Sequence, residues 1–147
     1  MRRELPMILV RAIVGLVFIF EGVLKFALPA EFGAGSFAAI GLPFSHILAP
    51  AVGGVEIAGG LAVLFNFYAG EASLLLSAIM ITALVATKLP VLLGRPLGPF
   101  NVPHATQYGW IAFLHAARVE LAMLFSALAI LIDSGLRVFN RRRWYEG

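Results

Sequence analysis

Seven charged residues fall inside stretches of this chain that otherwise read as membrane-spanning helices: Arg11, Glu21, Lys25, Glu56, Lys88, Arg118 and Glu120. A charge at the centre of a hydrocarbon layer costs about 2.5 to 3.5 kcal/mol on insertion scales, so such residues usually face a bundle interior and pair there. Four are basic and three are acidic, so the signs nearly balance. The chain therefore reads as a small membrane bundle built around a polar core, and function is to be sought in that core.

Composition supports the membrane reading. Of 147 residues, 61% are hydrophobic and only 13% are charged, and the mean hydropathy is +0.93. A soluble domain carries about 25% charged residues. The length suits one domain over residues 1–147. Basic residues gather near the ends, at Arg2, Arg3, Arg137, Arg141, Arg142 and Arg143. Such clusters beside membrane helices are topology signals, and no nucleic-acid partner is expected. With no cysteine, the chain itself carries no disulfide, no Cys-ligated metal and no thiol relay. The apolar stretch from Pro6 to Leu28 is too long for a signal-peptide core and contains Arg11, Glu21 and Lys25, so it reads as a retained helix.

Four stretches approach the roughly 20 residues that cross a bilayer. They are residues 6–28, 47–67, 71–93 and 110–132. Backbone polar groups cannot stay unpaired in lipid, which predicts an all-α integral membrane four-helix bundle. An even number of spans puts both termini on one side. The terminal arginines make that side cytoplasmic, and the bacterial cytoplasmic (inner) membrane is the expected location. The short link at Tyr68-Ala69-Gly70 forces spans two and three into a hairpin. On the opposite side, residues 29–46 predict a short interfacial helix ended by Gly41-Leu42-Pro43, and the Pro/Gly-rich loop 94–109, with Asn101 and His104, caps the mouth. Tyr108 and Trp110 suit one membrane interface and Tyr68 the other.

At about 100° per residue, Arg11, Gly15, Phe18, Glu21, Gly22 and Lys25 share one stripe of span one. Glu21 and Lys25 are spaced as a favourable i,i+4 pair. Gly53, Glu56 and Gly60 share a face of span two, where small residues allow a neighbouring helix to come close. Ser77, Ile81, Leu84 and Lys88 line up on span three, and His115, Arg118, Ala122 and Ser126 on span four. Because the spans alternate in direction, Glu21, Lys25, Glu56, Lys88, His115 and Arg118 all lie near the midplane or in the loop-side half. Arg11 stands apart near the other surface, where it could snorkel to phosphate. Glu120 lies roughly 160° from Arg118, so only one of the two can point at the bundle axis.

Each charge also has a purely structural reading. Glu21–Lys25 could simply make helix one tolerable in lipid. Glu56 has no partner on its own helix and must find a cation elsewhere or take a proton. Lys88 could snorkel, and His115 could be a hydrogen-bonded core histidine. His46, His104 and His115 have no ligand spacing among them, so no metal site is expected, and a second intramembrane histidine for haem is lacking.

The ordered features resemble the DoxX family of small four-helix bacterial membrane proteins. They are Arg11-x-x-x-Gly15-Leu16-x-Phe18-x-x-x-Gly22-x-x-Lys25, then Phe37-Ala38-Ala39-Ile40-Gly41-Leu42-Pro43, then Glu56-x-x-Gly59-Gly60, and finally Glu120 with Gly135 after it. Arg11, Glu56 and Glu120 match the family's recurrent polar positions, and Lys25 its basic residue at the end of span one. The chain departs from the family at Asp133-Ser134-Gly135-Leu136-Arg137 and at Lys88, where a histidine often stands. The resemblance implies a membrane subunit tied to quinone-linked sulfur or thiol oxidation or to oxidative-stress defence.

Three functions are compatible with these residues. The first is a membrane subunit of an oxidoreductase complex, with Lys25, Lys88, His115 and Arg118 lining a pocket for a quinone headgroup or small anion and Glu56 moving protons. A redox partner subunit, soluble or membrane-bound, would then hold the electron-transferring centre. The second is a small-solute or ion transporter, which would have to dimerise, with Glu120 assisting; against it, no broken helix is visible in the sequence. The third is a membrane scaffold in which the charges serve helix pairing alone.

Overall fold

A computed structural model describes residues 5–102 and 107–145, and residues 136–145 by backbone course alone. The elements in chain order are α1 (Leu5–Ala27), α2 (Ala34–Ala39), α3 (Ser45–Leu64), α4 (Ala69–Ala83), a π-helical turn (Leu84–Lys88), α5 (Leu89–Leu93) and α6 (Trp110–Tyr145). Among the described residues, four segments are long and apolar enough to cross a membrane: Leu5–Ala27, Ser45–Leu64, Ala69–Leu93 and Trp110–Gly135. The chain is thus an all-α, multi-pass membrane protein. The expected spans shift by a few residues, and the fourth helix runs on to Tyr145 rather than ending near 132. Arg2, Arg3, Pro103 and His104 lie outside the described residues.

The four long segments form a ring in which α1 packs on α3, α3 on α4, α4 on α6, and α6 back on α1. The tightest of these contacts is α1 against α3, and glycine makes it possible. A Cβ on Gly15 would sit 2.8 Å from the Gly60 carbonyl oxygen, and one on Gly22 would sit 2.6 Å from that of Gly53. Lipid gives helices no hydrophobic reason to associate, so close van der Waals packing through small residues carries the interface. On the other side of α1, Leu9, Ile13, Leu16 and Phe20 are exposed and face the acyl chains. The core between the helices holds Val14, Phe18, Val63, Leu76, Met80, Met123 and Ile130.

The α3–α4 hairpin turns at Phe65–Tyr68. Asn66 has φ 57°, the Asn66 N–H donates to the Val63 carbonyl at 3.2 Å, and the Phe67 N–H donates to that of Ala62 at 2.8 Å. These bonds are those of a left-handed helix cap, a conformation asparagine tolerates better than most residues. Arg11, which by its position could have snorkelled, turns inward instead. Arg11 is buried, and its guanidinium donates to the Asn66 side-chain oxygen, tying α1 to this turn.

At the opposite end, α2 is the short helix the sequence predicts, and it ends on Gly41 at φ 87°. The loop following α5 holds it down. The Asn101 N–H donates to the Ile40 carbonyl at 3.1 Å, and Asn101 Nδ2 donates to the Ala39 carbonyl at 3.0 Å.

The third segment is interrupted, a feature absent from the sequence reading. Pro90 lacks an N–H and would clash with the carbonyl four residues back, so a straight α-helix cannot pass through it unchanged. The π turn immediately before it takes up the misfit. One extra residue per turn rotates the downstream part of the helix by roughly 100°. Lys88 therefore leaves the face it would share with Ile81, which is 51% exposed, and turns inward.

Candidate functional site

A cavity of about 700 Å³ lies between the α1/α3 pair and the α4/α6 pair, in the half of the bundle covered by α2. Its walls are mainly apolar. Val17 and Phe18 come from α1, Val52 from α3, Ile79 and Met80 from α4, and Met123 from α6. Ser36, Phe37 and Ile40 close it on the α2 side. Polar groups reach it from Glu21 and Lys25 on α1, Glu56 on α3, Thr87 on the π turn, and Arg118 and Glu120 on α6.

On the α1/α3 wall, Lys25 Nζ lies 2.6 Å from Glu56 Oε2, with the two side chains 9% and 3% exposed. The approach is direct because Gly53 and Gly22, one turn away on the two helices, bring the backbones together. Glu56 finds its missing cation here, on the neighbouring helix. The i,i+4 spacing of Glu21 and Lys25 does not become a side-chain ion pair. Lys25 Nζ instead lies 3.5 Å from the Glu21 backbone carbonyl, and the Glu21 carboxylate is left half-buried on the cavity wall. The close cross-helix carboxylate outcompetes the local one.

On the facing wall, Lys88 Nζ lies 2.8 Å from Glu120 Oε1. These side chains are 21% and 24% exposed, so the pair is wetter or more lipid-accessible than the first. Glu120 is the member of span four that turns inward, alongside buried Ala117, Met123 and Ala127. The face expected to point inward does not. His115 and Ala122 are exposed, and so is Arg118, whose guanidinium reaches back to the His115 carbonyl while still bordering the cavity. Ala117 and Ala127 are fully buried on the same face of the helix, and that orientation places Glu120 opposite Lys88.

Of the residues singled out from the sequence, Glu21, Lys25, Glu56, Arg118 and Glu120 border the cavity. Lys88 stands behind Glu120, and His115 lies on the outer surface of α6. The sequence reading named Asn101 in the capping loop without giving it a partner, and it missed Thr87 and Asn66. The signal for Asn66 was available, since asparagine between two apolar spans marks a left-handed turn. Nothing pointed to Thr87, whose placement depends on the π turn.

Residues 7–89, more than half of the chain, match the model of the DoxX family. The chain belongs to the DoxX family. This DoxX protein is also similar to the uncharacterized membrane protein Rv3486 of Mycobacterium tuberculosis, being 38% identical over 124 residues that cover 84% of the chain and 72% of that protein. No solved structure matches it. The family match spans α1 to the start of α5. It therefore includes the Lys25–Glu56 wall and Lys88, while Arg118 and Glu120 lie beyond it.

Proposed function

We propose that this DoxX protein is the ligand-binding membrane subunit of an oxidoreductase complex, and that its cavity takes the headgroup of a quinone. The observation that carries this reading is the cavity itself. At about 700 Å³ it falls within the size range of small-molecule sites, and it combines apolar walls with a few convergent polar groups. Its position between spanning helices suits a lipid-soluble ligand. Glu21, Arg118 and Thr87 would meet the polar end, and Val17, Phe18, Ile79 and Met123 the apolar body. The quinone would supply two-electron chemistry; the chain would bind and orient it. Without cysteine in the chain, electrons would come from a cofactor-bearing partner or pass directly between substrates. The terminal arginines support a cytoplasmic position for both termini, in a bacterial inner membrane.

A small-solute transporter is the second reading, and one observation favours it. The third span is interrupted by the π turn beside Lys88, and discontinuous spans mark binding sites in transporters.

Purification from native membranes in mild detergent, with mass spectrometry of co-purifying proteins and extracted lipids, tests the proposal. A stoichiometric redox partner and retained quinone are expected. A protein that emerges alone and quinone-free, yet moves solute in proteoliposomes, would replace the first reading with the second.

A further inference from the structure

Six charged side chains lie in or next to the cavity, and they do not all play the same part. Two ion pairs, Lys25–Glu56 and Lys88–Glu120, use four of them. The remaining two are Glu21 on α1 and Arg118 on α6. Both border the cavity, and among the described residues no ion pair joins them to each other or to anything else. Arg118 spends a hydrogen bond on its own helix, at the His115 carbonyl, and a guanidinium has five N–H donors. Glu21 has an acceptor-only carboxylate.

We infer that Glu21 and Arg118 are the ligand-facing charges of the cavity, and that they select a net-neutral amphiphile whose polar end offers a hydroxyl donor to Glu21 and an oxygen acceptor to Arg118. The inference rests on the proposed quinone reading for the ligand class and sharpens it, because it favours the reduced, hydroxyl-bearing form. The three carboxylates and three cations around the cavity cancel. A ligand of net charge would pair with only one of the two unpaired groups and leave the other without a partner, whereas a neutral dipolar one satisfies both. A quinol presents an O–H to a carboxylate and an oxygen lone pair to a guanidinium. Its quinone presents acceptors alone and leaves Glu21 facing a lone pair. Thr87 does not supply the missing donor, because its hydroxyl already donates to the Ala83 carbonyl at 2.8 Å.

The test is equilibrium binding of tritiated decylubiquinol and decylubiquinone to the purified full-length protein in detergent, under argon. Wild type should bind the quinol about tenfold more tightly than the quinone, the scale of one hydrogen bond to a charged group. Glu21→Gln, whose amide donates as well as accepts, should bring the two affinities within about twofold of each other while quinone binding persists. Arg118→Gln should weaken both forms by a similar factor, about tenfold. Decanoate and decyltrimethylammonium should not displace the bound quinol, and displacement by either would overturn the selection for a neutral ligand. Wild type that binds both forms equally, or a preference that survives Glu21→Gln, would overturn the assignment of Glu21 and leave the proposed function standing. Absence of binding by either form would remove the quinone reading and this inference with it.

Discussion

The two walls of the cavity hold the same chemical pair in different settings. On the α1/α3 wall, lysine meets glutamate across a glycine-packed interface, and the side chains are 9% and 3% exposed. On the α4/α6 wall, lysine reaches glutamate only because a π turn rotates it inward, and the side chains are 21% and 24% exposed. One wall is regular, close and sealed. The other is irregular and more open. The difference suggests a division of labour, with the first wall as a fixed reference surface and the second as the one able to adjust to a ligand. The family match extends over all of the first wall and stops before α6.

The largest expected effect comes from breaking each pair in turn. Glu56→Gln leaves a buried ammonium without its carboxylate, and removing one partner of a buried pair costs about 3 to 5 kcal/mol. Glu120→Gln leaves a lysine whose side chain is 21% exposed and can find water or a headgroup, and the loss should stay under about 1 kcal/mol. Thermal or SDS-induced unfolding of the purified variants in detergent reads the difference. Equal losses would mean that the two walls are equally sealed.

The next comparison asks whether the backbone packing differs as the ion pairs do. Gly22→Ala puts a methyl 2.6 Å from the Gly53 carbonyl oxygen and 2.7 Å from Ile57 Cγ1, so two backbones must separate. The cost should reach about 3 kcal/mol, the upper end of ordinary overpacking. On the other wall, Gly70→Ala meets only the Ser134 side chain, at 3.0 Å. Alanine also favours a helix over glycine by about 1 kcal/mol, so this change should be close to neutral. Folded yield on gel filtration and melting temperature measure both. A harmful Gly70→Ala would show that α4 and α6 are packed as closely as α1 and α3.

The contrast also explains what the sequence could reveal. The stripe Gly15, Phe18, Gly22 and Lys25 follows an unbroken helical period, and its glycines and lysine do meet α3 where a regular helix puts them. The same arithmetic misled on the other wall. It aligned Lys88 with Ile81 because it assumed an unbroken helix, and the π turn before Pro90 cancels that register. It turned His115 and Arg118 inward on the strength of their polarity, whereas the buried face of α6 runs through Ala117, Met123, Ala127 and Ile130 and carries Glu120 with it. The i,i+4 spacing of Glu21 and Lys25 suggested a local pair, because no sequence rule weighs it against a carboxylate arriving from another helix. Periodicity is reliable where the helix is regular and fails at the wall where it is not.

A smaller effect tests how far the rigidity of the α1/α3 pair extends. Arg11 holds the hairpin turn through Asn66, at the end remote from the cavity. Asn66→Gly keeps the left-handed turn possible and removes only the acceptor. A hydrogen bond to a charged group contributes about 1.5 to 3 kcal/mol, so stability should fall by that order. Ligand binding should not change. A change in affinity would mean that the far end of the pair sets the shape of the cavity wall.

The smallest expected effect lies where the two halves are tied together. Asn101 follows α5, while Ala39 and Ile40 end the short helix that covers the cavity and packs on α3. Asn101→Ala removes the side-chain bond to the Ala39 carbonyl and keeps the backbone bond to Ile40, a loss of about 1 kcal/mol at most. Global melting should hardly move. Amide hydrogen exchange in α2 should rise several-fold, because local opening depends on the few bonds that hold a short helix down. Exchange in α1 and α3 should be unaffected. If exchange rises across α1 and α3 as well, the cover is part of the sealed wall and the division between the two halves is wrong. If it rises in α2 alone, the cover moves independently of that wall, and ligand entry on the α2 side becomes a matter of one loop releasing one helix.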